Sequence, residues 1–313
     1  MSKIMAVGMI KNCADVIEAC VRGNANLVDE FYFLDNLSTD NTVSILKSLQ
    51  EEGFKIKLFK DDEIGYEQTA KTERLIHEAL SSDDPDFIIP IDDDELIVPE
   101  AGMDYSGVRN KIESLSPNNL YYMRWRVYCP TEWDNTDDIC IFKRQLHCYA
   151  DSIETGKKII IPRGVLKSGN FHVAMGNHAA EGSDIKEHVV LPWLRMAHFP
   201  VRSEEQIISK ALVGWTNCLI LPDRGSRDSY HWRVIYDIVK EERKIPLEIL
   251  KLLSVFYVEG AKEDMEIEKH PIELPEASYI SKYTTANEIN VWKNYCSNIE
   301  MICEKYVELL KQQ

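Results

Sequence analysis

The sequence predicts an α/β fold, a mostly parallel sheet flanked by helices, with a helical C-terminal region. Three observations predict it. The first hundred residues alternate short apolar runs with helical patterns. A cluster of four acids directly follows one of those runs. From about Ser203 onward most of the chain is helical in pattern. Repeated strand–helix order implies parallel strands covered by helices on both faces.

Ile4 to Ile10 is an apolar run of strand length, and Asp15 to Arg22 carries Val16, Ile17, Cys20 and Val21 on one helical face. Glu30 to Leu34 is an aromatic strand, and Ser38-Thr39-Asp40 supplies capping residues for a helix over Thr42 to Gln50. Lys55 to Phe59 is a third strand, Glu67 to Leu80 a helix, and Phe87 to Ile91 a fourth strand. The middle reads differently. Leu120 to Tyr128, Ile139 to Phe142, Lys158 to Ile161 and Asn170 to Val173 have strand patterns without long helices between them. These extend the sheet or form a small β region over a site. Glu204 to Leu219, Trp232 to Glu242, Pro246 to Tyr257 and Asn287 to Leu310 are the expected C-terminal helices, with an irregular connection over Glu259 to Thr285.

Composition narrows the function. The 313 residues carry 52 acidic and 36 basic side chains, a formal charge of −16. General nucleic-acid binding needs a basic surface, so it is excluded as an expectation. None of the 8 cysteines forms a C-x-x-C pair, which argues against a thiolate zinc site. The start lacks a basic region, an apolar core and a cleavage site, and no apolar run is long enough to span a bilayer. The expected location is cytoplasmic with reduced thiols, or peripheral to the inner face of the membrane.

The strongest chemical signal is Ile88 to Leu96, IIPIDDDEL. A buried strand delivers Asp92, Asp93, Asp94 and Glu95 at its carboxyl end, where ligands of parallel sheets bind. Acids this close repel one another, which raises their pKa values unless a cation is near. On that reasoning, removing one of them costs little stability. Hard oxygen ligands at this density suit magnesium or manganese. In extended backbone Asp92 and Asp94 point to one side and can approach the same ion. An acidic turn capping a helix is the plain alternative. A nucleotide-triphosphatase strand would need a glycine-rich loop ending in Gly-Lys-Ser or Gly-Lys-Thr, and Thr155-Gly156-Lys157-Lys158 does not supply it. The second signal is Phe31 to Thr42, where Asp35 closes a strand before a run of capping residues; alone it is also a plain turn and N-cap.

Together the blocks become recognisable. Lys11-Asn12 after the first strand, Asp35-Asn36-Leu37-Ser38-Thr39-Asp40 after the second and Asp92-Asp93-Asp94-Glu95 after the fourth resemble the family 2-like glycosyltransferases of GT-A fold. The nearer resemblance is to the subgroup with K-N-E, D-N-x-S-x-D and D-x-D-E motifs. Gly156-Lys157-Lys158-Ile159-Ile160, Gly176-Asn177-His178 and His198-Phe199-Pro200-Val201-Arg202-Ser203, followed by Gln206, Lys210 and Gly214, look like that subgroup too. The resemblance covers roughly residues 3–215. It implies three parts: residues 1–100 as the nucleotide-sugar half, 101–215 as the acceptor-side part of the GT-A domain, and 216–313 as a helical region.

The resemblance also implies roles. Asp35 contacts the nucleoside, and Lys11 and Asn12 line the same pocket. Asp92 and Asp93 sit near the ribose, Asp92 also near the metal. Asp94 is the principal ligand of Mn2+ or Mg2+, and His198 completes the metal and diphosphate site. Lys71 or Arg74 meets the diphosphate. The subgroup has Glu after Lys-Asn where this chain has Cys13. Glu181 is the expected catalytic base, with His178 beside it facing the acceptor. Trp125, Tyr128 and Trp133 suit either a sugar face or the core. The implied activity is metal-dependent, inverting transfer from a nucleotide-sugar, a UDP-sugar foremost, to a glycan or lipid-linked acceptor in bacterial surface glycan synthesis. The rival readings are a non-catalytic nucleotide or glycan binder of the same fold and a sugar nucleotidyltransferase. The latter wants a glycine-rich basic loop that GMIKNCAD lacks. The C-terminal helices are expected to pack or to join copies into a homo-oligomer.

Overall fold

The computed structural model describes residues 2–63, 67–100, 102–150, 156–221, 230–255, 265–286 and 288–312. In chain order the elements are β1 (Ile4–Ile10), α1 (Ile17–Asn24), β2 (Glu30–Asp35), α2 (Thr42–Glu52), β3 (Ile56–Lys60), α3 (Gln68–Ser82), β4 (Phe87–Pro90), β5 (Glu95–Pro99) and α4 (Tyr105–Glu113). The middle holds β6 (Leu120–Val127), α5 (Ile141–Arg144), β7 (His147–Tyr149), β8 (Lys157–Pro162), α6 (Arg163–Leu166), β9 (His172–Val173), β10 (Ala180–Glu181) and β11 (His188–His198). The C-terminal part holds α7 (Glu204–Leu219), α8 (Tyr230–Glu242), α9 (Leu247–Val255), β12 (Ile267–Lys269) and α10 (Val291–Gln312). Residues 256, 257 and 287, also expected to be helical, lie outside the described residues.

Eight strands form one sheet in the order β3-β2-β1-β4-β8-β6-β11-β5. The first four are mutually parallel, as the strand–helix alternation requires. The other half is mixed: β8 is antiparallel to both β4 and β6, β11 is parallel to β6, and β5 closes the edge antiparallel to β11. Period-2 alternation divides each parallel strand between two cores. Ile4, Ala6, Phe31 and Phe33 face Ile17, Val21, Ile45 and Leu49 of α1 and α2. Met5, Val7, Tyr32 and Leu34 face Leu75, Ile76 and Ala79 of α3. Helices therefore cover both faces of the parallel half.

The middle departs from the sequence reading in particulars. Residues 139–142, expected as a strand, instead lead into the helical turn α5, with Lys143 and Arg144 N–H groups donating to the Cys140 carbonyl. Short apolar runs fit either element, and here Phe142 is drawn in against the Phe199 ring. Of residues 170–173 only His172 and Val173 pair, in a two-stranded ribbon with β10. β5, α4 and β11 carry no strong periodic signal. β5 begins inside the acidic cluster, and β11 has Pro192 and a register shift between Val190 and Arg195.

The C-terminal region closes back over the earlier part of the chain. The Glu18 carboxylate in α1 accepts N–H bonds from Lys282, Tyr283 and Thr284 at 2.8–2.9 Å and pairs with Arg22. Asn41 Nδ2 donates to Glu288, and Tyr128 Oη donates to the His270 carbonyl. Among the described residues, no helix is long and apolar enough to cross a membrane.

One glycine sets how closely the central strand approaches the acidic loop. A Cβ on Gly8 would sit 2.4 Å from the Ile91 carbonyl oxygen, a backbone atom that cannot swing aside. Gly8→Ala is expected to destabilise the fold by about 1–3 kcal/mol, in the range of overpacked cores. Urea unfolding of the two proteins measures it, and an unchanged midpoint would show that the loop yields freely.

Candidate active site

The carboxyl ends of the parallel strands open on a cavity of about 1040 Å³. Lys11, Asn12 and Asn36 line it from the turns after β1 and β2, and Asp92, Asp93 and Asp94 from the turn after β4. Trp125 and His198 come from β6 and β11, His178 from the segment after β9. Arg202, Ser209, Lys210, Asn217, His231 and Trp232 also line it. Ligand sites commonly measure roughly 300–1,000 Å³, so this one has room for a nucleotide-sugar.

The acidic turn is built by backbone bonds on both sides. Ile91 N–H donates to the Val7 carbonyl at 2.9 Å, and Phe199 N–H donates to the Asp94 carbonyl at 2.9 Å. Its four carboxylates are almost all met by cations. Lys158, fully buried on β8, lies 2.6 Å from Asp92 and 3.3 Å from Glu95. Glu95 also accepts from the Trp125 indole at 2.9 Å and from Asp92 N–H at 2.8 Å. Asp94 meets Lys210 at 2.9 Å, Arg202 at 3.3 Å and His198 Nε2 at 3.4 Å. Arg202 is held in turn by Asp15 at 2.7 Å.

These contacts sort the acids. Burial opposes the Asp94 charge, but Lys210, His198 and Arg202 hold its carboxyl well below the usual range. Burial and the Asp94 charge push Asp93 up to about 7. Burial pushes Glu95 up to about 8 despite Lys158. Burial lowers His198. Burial and neighbouring Asp93 raise the Cys13 thiol, so at the position where the resembling subgroup has Glu this chain keeps a neutral side chain.

The two early turns are knitted together. Lys11 Nζ donates to the Asn36 carbonyl at 2.8 Å, and Asn12 N–H donates to Ser38 Oγ at 3.0 Å. Asn12 Oδ1 accepts from Thr39 N–H at 2.7 Å. Asp40 accepts from Ala14 N–H at 3.1 Å and from Thr42 N–H at 2.9 Å. Asn12 and Leu37 adopt positive φ, 52° and 58°, which these bonds hold in place. Asp35 ends β2 and accepts from Ser38 N–H at 3.2 Å.

Of the residues singled out in the sequence, Lys11, Asn12, Asp92, Asp93, Asp94 and His198 come together on the cavity. Asp35 lies behind that lining, where its neighbour Asn36 takes the wall position. Lys71 is buried against Asp61 at 2.6 Å, and Arg74 is exposed on α3. Glu181 is exposed on β10, outside the lining. His178 does line the cavity: its Nδ1 lies 2.8 Å from the Lys157 carbonyl, and its ring meets Trp125 edge-on at 4.9 Å. Three residues gain a part that the sequence did not assign. Lys158, Arg202 and Lys210 are the counter-charges of the acidic turn. For Lys158 a signal exists, a lysine inside the apolar run 158–161.

Asp94 and His198 adjoin on the cavity wall as possible ion ligands. Among the described residues, no three Asp, Glu, His or Cys side chains converge on one ion position. Magnesium commonly takes only one or two carboxylates from the protein and completes its shell with water and substrate phosphates. Asp94 on the cavity wall is one such carboxylate, and His198 beside it adds a nitrogen donor.

No protein-family model matches the chain, and no curated protein matches it. Among solved structures, a mannosyltransferase from Pyrobaculum calidifontis in complex with GDP-Man and Mn2+ is similar at 14% identity and a TM-score of 0.39. The match covers 69% of this chain and 62% of that one, so this chain spans less than two thirds of the mannosyltransferase. Glucosyl-3-phosphoglycerate synthase from Mycobacterium tuberculosis is similar at 18% identity and a TM-score of 0.37, over 72% of this chain and 82% of that one. At these values the functional reading rests on the site's own geometry.

The pairing of Asp94 reverses the expectation that removing one acid from the cluster costs little. Its carboxylate is one side of a buried ion network, and deleting one partner of such a pair leaves charges stranded. Asp94→Ala is expected to lower stability by about 3–5 kcal/mol, and Asp94→Asn by less. Denaturant unfolding decides it; a variant as stable as wild type would mean repulsion dominates the cluster after all.

Burial also lowers Lys11 to about 8. Its ammonium is present at pH 7 and is lost as the pH rises through that value. Affinity of this cavity for inorganic pyrophosphate, used as an anionic probe, is expected to fall between pH 7 and 9, and to fall less in Lys11→Met. Calorimetric titration across that range checks the slope; equal slopes in the two proteins would remove Lys11 from the binding wall.

Proposed function

We propose that this chain is a metal-dependent glycosyltransferase of GT-A fold, moving a sugar from a nucleotide-diphosphate donor to an acceptor hydroxyl. One observation carries the reading. At the carboxyl ends of parallel strands, a single cavity brings the Asp94–His198 pair together with the cations Lys11, Arg202 and Lys210. A nucleotide diphosphate asks for that mixture: cations for its phosphates and hard ligands for the ion that accompanies them. A plain acidic cap needs neither a cavity nor the opposing cations. The family 2-like assignment, with Asp92 to Glu95 as its D-x-D-E block, belongs to this proposal.

In this reading Asp94 and His198 hold Mn2+ or Mg2+, which when bound supplies charge neutralisation at the leaving diphosphate. Lys210 and Arg202, already beside Asp94, turn toward the phosphate oxygens. Lys158 and Gln68 fix both oxygens of Asp92, at 2.6 and 3.1 Å, beside the ribose. The acceptor oxygen forms its bond to the anomeric carbon as the bond from that carbon to the diphosphate breaks, and the electron pair leaves with the diphosphate. The displacement inverts the anomeric centre. The acceptor proton goes to the base. We assign that base to His178 rather than Glu181, because His178 lies on the cavity. With Nδ1–H donated to the Lys157 carbonyl, its Nε2 keeps the lone pair that a base requires. Gly176, at φ 74°, makes the room: a Cβ there would lie 2.3 Å from that Nε2.

The donor is read as a UDP-sugar and the acceptor as a glycan or lipid-linked glycan of a bacterial surface. Thermal shift against UDP- and GDP-sugars, with and without manganese, tests donor and metal together. A donor at 100 times its dissociation constant is expected to add about 2.7 kcal/mol, only when manganese is present. Silence across the panel would sink the transferase reading. With a donor in hand, Asp94→Asn is expected to lose at least about a hundredfold in turnover. His178→Gln should lose a similar factor in kcat with little change in donor affinity; wild-type kcat in His178→Gln would return the base to another residue.

A further inference from the structure

Three aromatic side chains suit either a sugar face or the core by their sequence, and the structure separates them. Tyr128 is fully buried, stacked on Phe199 at 4.6 Å between ring centroids, and its hydroxyl donates to the His270 carbonyl. Trp133 is 65% exposed and lies outside the cavity lining. Trp125 does line the cavity, and two of the cavity's histidines rest against it. His178 meets the indole edge-on at 4.9 Å, and His198 lies over it at 4.5 Å, tilted by 34°. In the transfer described above, His198 stands with Asp94 on the side of the leaving diphosphate, and His178 takes the proton on the side of the acceptor. The anomeric carbon has to lie between the two, since it breaks a bond toward one as it forms a bond toward the other. Trp125 is the side chain that reaches from one histidine to the other.

The ring is set in place from two directions. Its Nε1 donates to Glu95 Oε1 at 2.9 Å, a buried bond to the acidic turn itself. Its main-chain N–H donates to the Gly156 carbonyl at 2.8 Å, which lays the indole across that glycine. A Cβ on Gly156 would lie 2.5 Å from Cε3 and 2.6 Å from Cζ3 of the six-membered ring. Gly156 also lines the cavity, so the missing side chain leaves room for the ring at the wall. The indole is thus part core and part cavity wall, tied at its polar edge. Its orientation is fixed before any ligand arrives, which reduces the ordering that binding must do.

We propose that Trp125 is the platform for the transferred sugar, with the apolar C–H face of the donor's pyranose ring resting on the indole between His198 and His178. The inference rests on the transferase reading and adds to it the residue that holds the sugar. A pyranose carries its hydroxyls around the rim and C–H groups on its faces. An indole offers a large apolar surface of matching size, and its one polar atom is already occupied by Glu95. The nucleoside and the diphosphate have other partners in Lys11, Asn12, Arg202 and Lys210. Trp125 therefore contributes to binding of the sugar nucleotide and contributes nothing to binding of the nucleoside diphosphate left behind.

Calorimetric titration in manganese reads that difference, with UDP against UDP-glucose and GDP against GDP-mannose as the probe pairs. Trp125→Leu removes the ring. Gly156→Ala keeps the ring but forces it to shift, and it decides the matter if the first variant does not fold. For the pair that wild type binds, both variants are expected to weaken the sugar nucleotide about three- to tenfold and to leave the nucleoside diphosphate unchanged. Trp133→Leu, outside the cavity, is expected to change neither. Equal losses for the sugar nucleotide and its nucleoside diphosphate would make Trp125 a structural wall and overturn the inference, as would unchanged affinity for both. A wild type that binds none of the four probes removes the transferase reading itself, and the inference falls with it.

Discussion

Four consecutive carboxylates at the end of a buried strand are the constraint on which the rest of this structure depends. Burial opposes the charges of Asp93, Asp94 and Glu95, and neighbouring carboxylates oppose one another. The fold meets this with cations drawn from far along the chain: Lys158 on β8, Arg202 before α7 and Lys210 within it. That requirement explains why the sheet does not stop at four parallel strands. β8 enters antiparallel beside β4, and so places a fully buried ammonium against Asp92 and Glu95. β11 delivers His198 and then the Arg202 turn to the same point. The acidic turn is thus specified by the first hundred residues and made tolerable by residues between 158 and 210.

The turns after β1 and β2 are built differently. Lys11, Asn12 and Asn36 are positioned by hydrogen bonds between two turns rather than by packing. Hydroxyls and carboxamides satisfy backbone N–H groups across the gap, so both turns hold strained φ values with no apolar core of their own. A ligand entering there meets side chains whose rotamers are already set, which reduces the ordering that binding must do.

The parallel half was legible in the sequence because its signals are local. Strand and helix periods alternate, and β1 to β4 fall within a residue or two of where those periods put them. In the mixed half β6 and β8 were legible too, as the strands expected over 120–128 and 158–161, but β5, β11 and α5 were not, since they are decided by what they pack against. Ile141 and Phe142 fit strand or helix equally until Phe199 is in place. Among site residues announced by a motif at a strand end, Lys11, Asn12, Asp92, Asp93, Asp94 and His198 reach the cavity, whereas Asp35 stays behind Asn36. Lys71 and Arg74 had only their helix to recommend them. Periodicity cannot say that Asp61 captures the first and that solvent takes the second. Lys158, Arg202 and Lys210 stand in or just after blocks that resemble the subgroup, but their role as counter-charges was not legible: sequence spacing does not show that a lysine or arginine pairs with a carboxylate 66 to 116 positions away.

The Glu18 carboxylate bears on how the chain is made. It sits 1% exposed in the first helix, and three of its partners are backbone N–H groups between 264 and 266 residues downstream. Chains emerge from the ribosome at roughly 5–20 residues per second, N-terminus first. For some tens of seconds the first helix therefore holds an anion matched by Arg22 alone. The early half can collapse around its apolar strands in that interval, but the helix that supports the acidic turn is not locked until residue 284 arrives. Synthesis itself imposes an order in which the support of the acidic turn is completed only late in the chain.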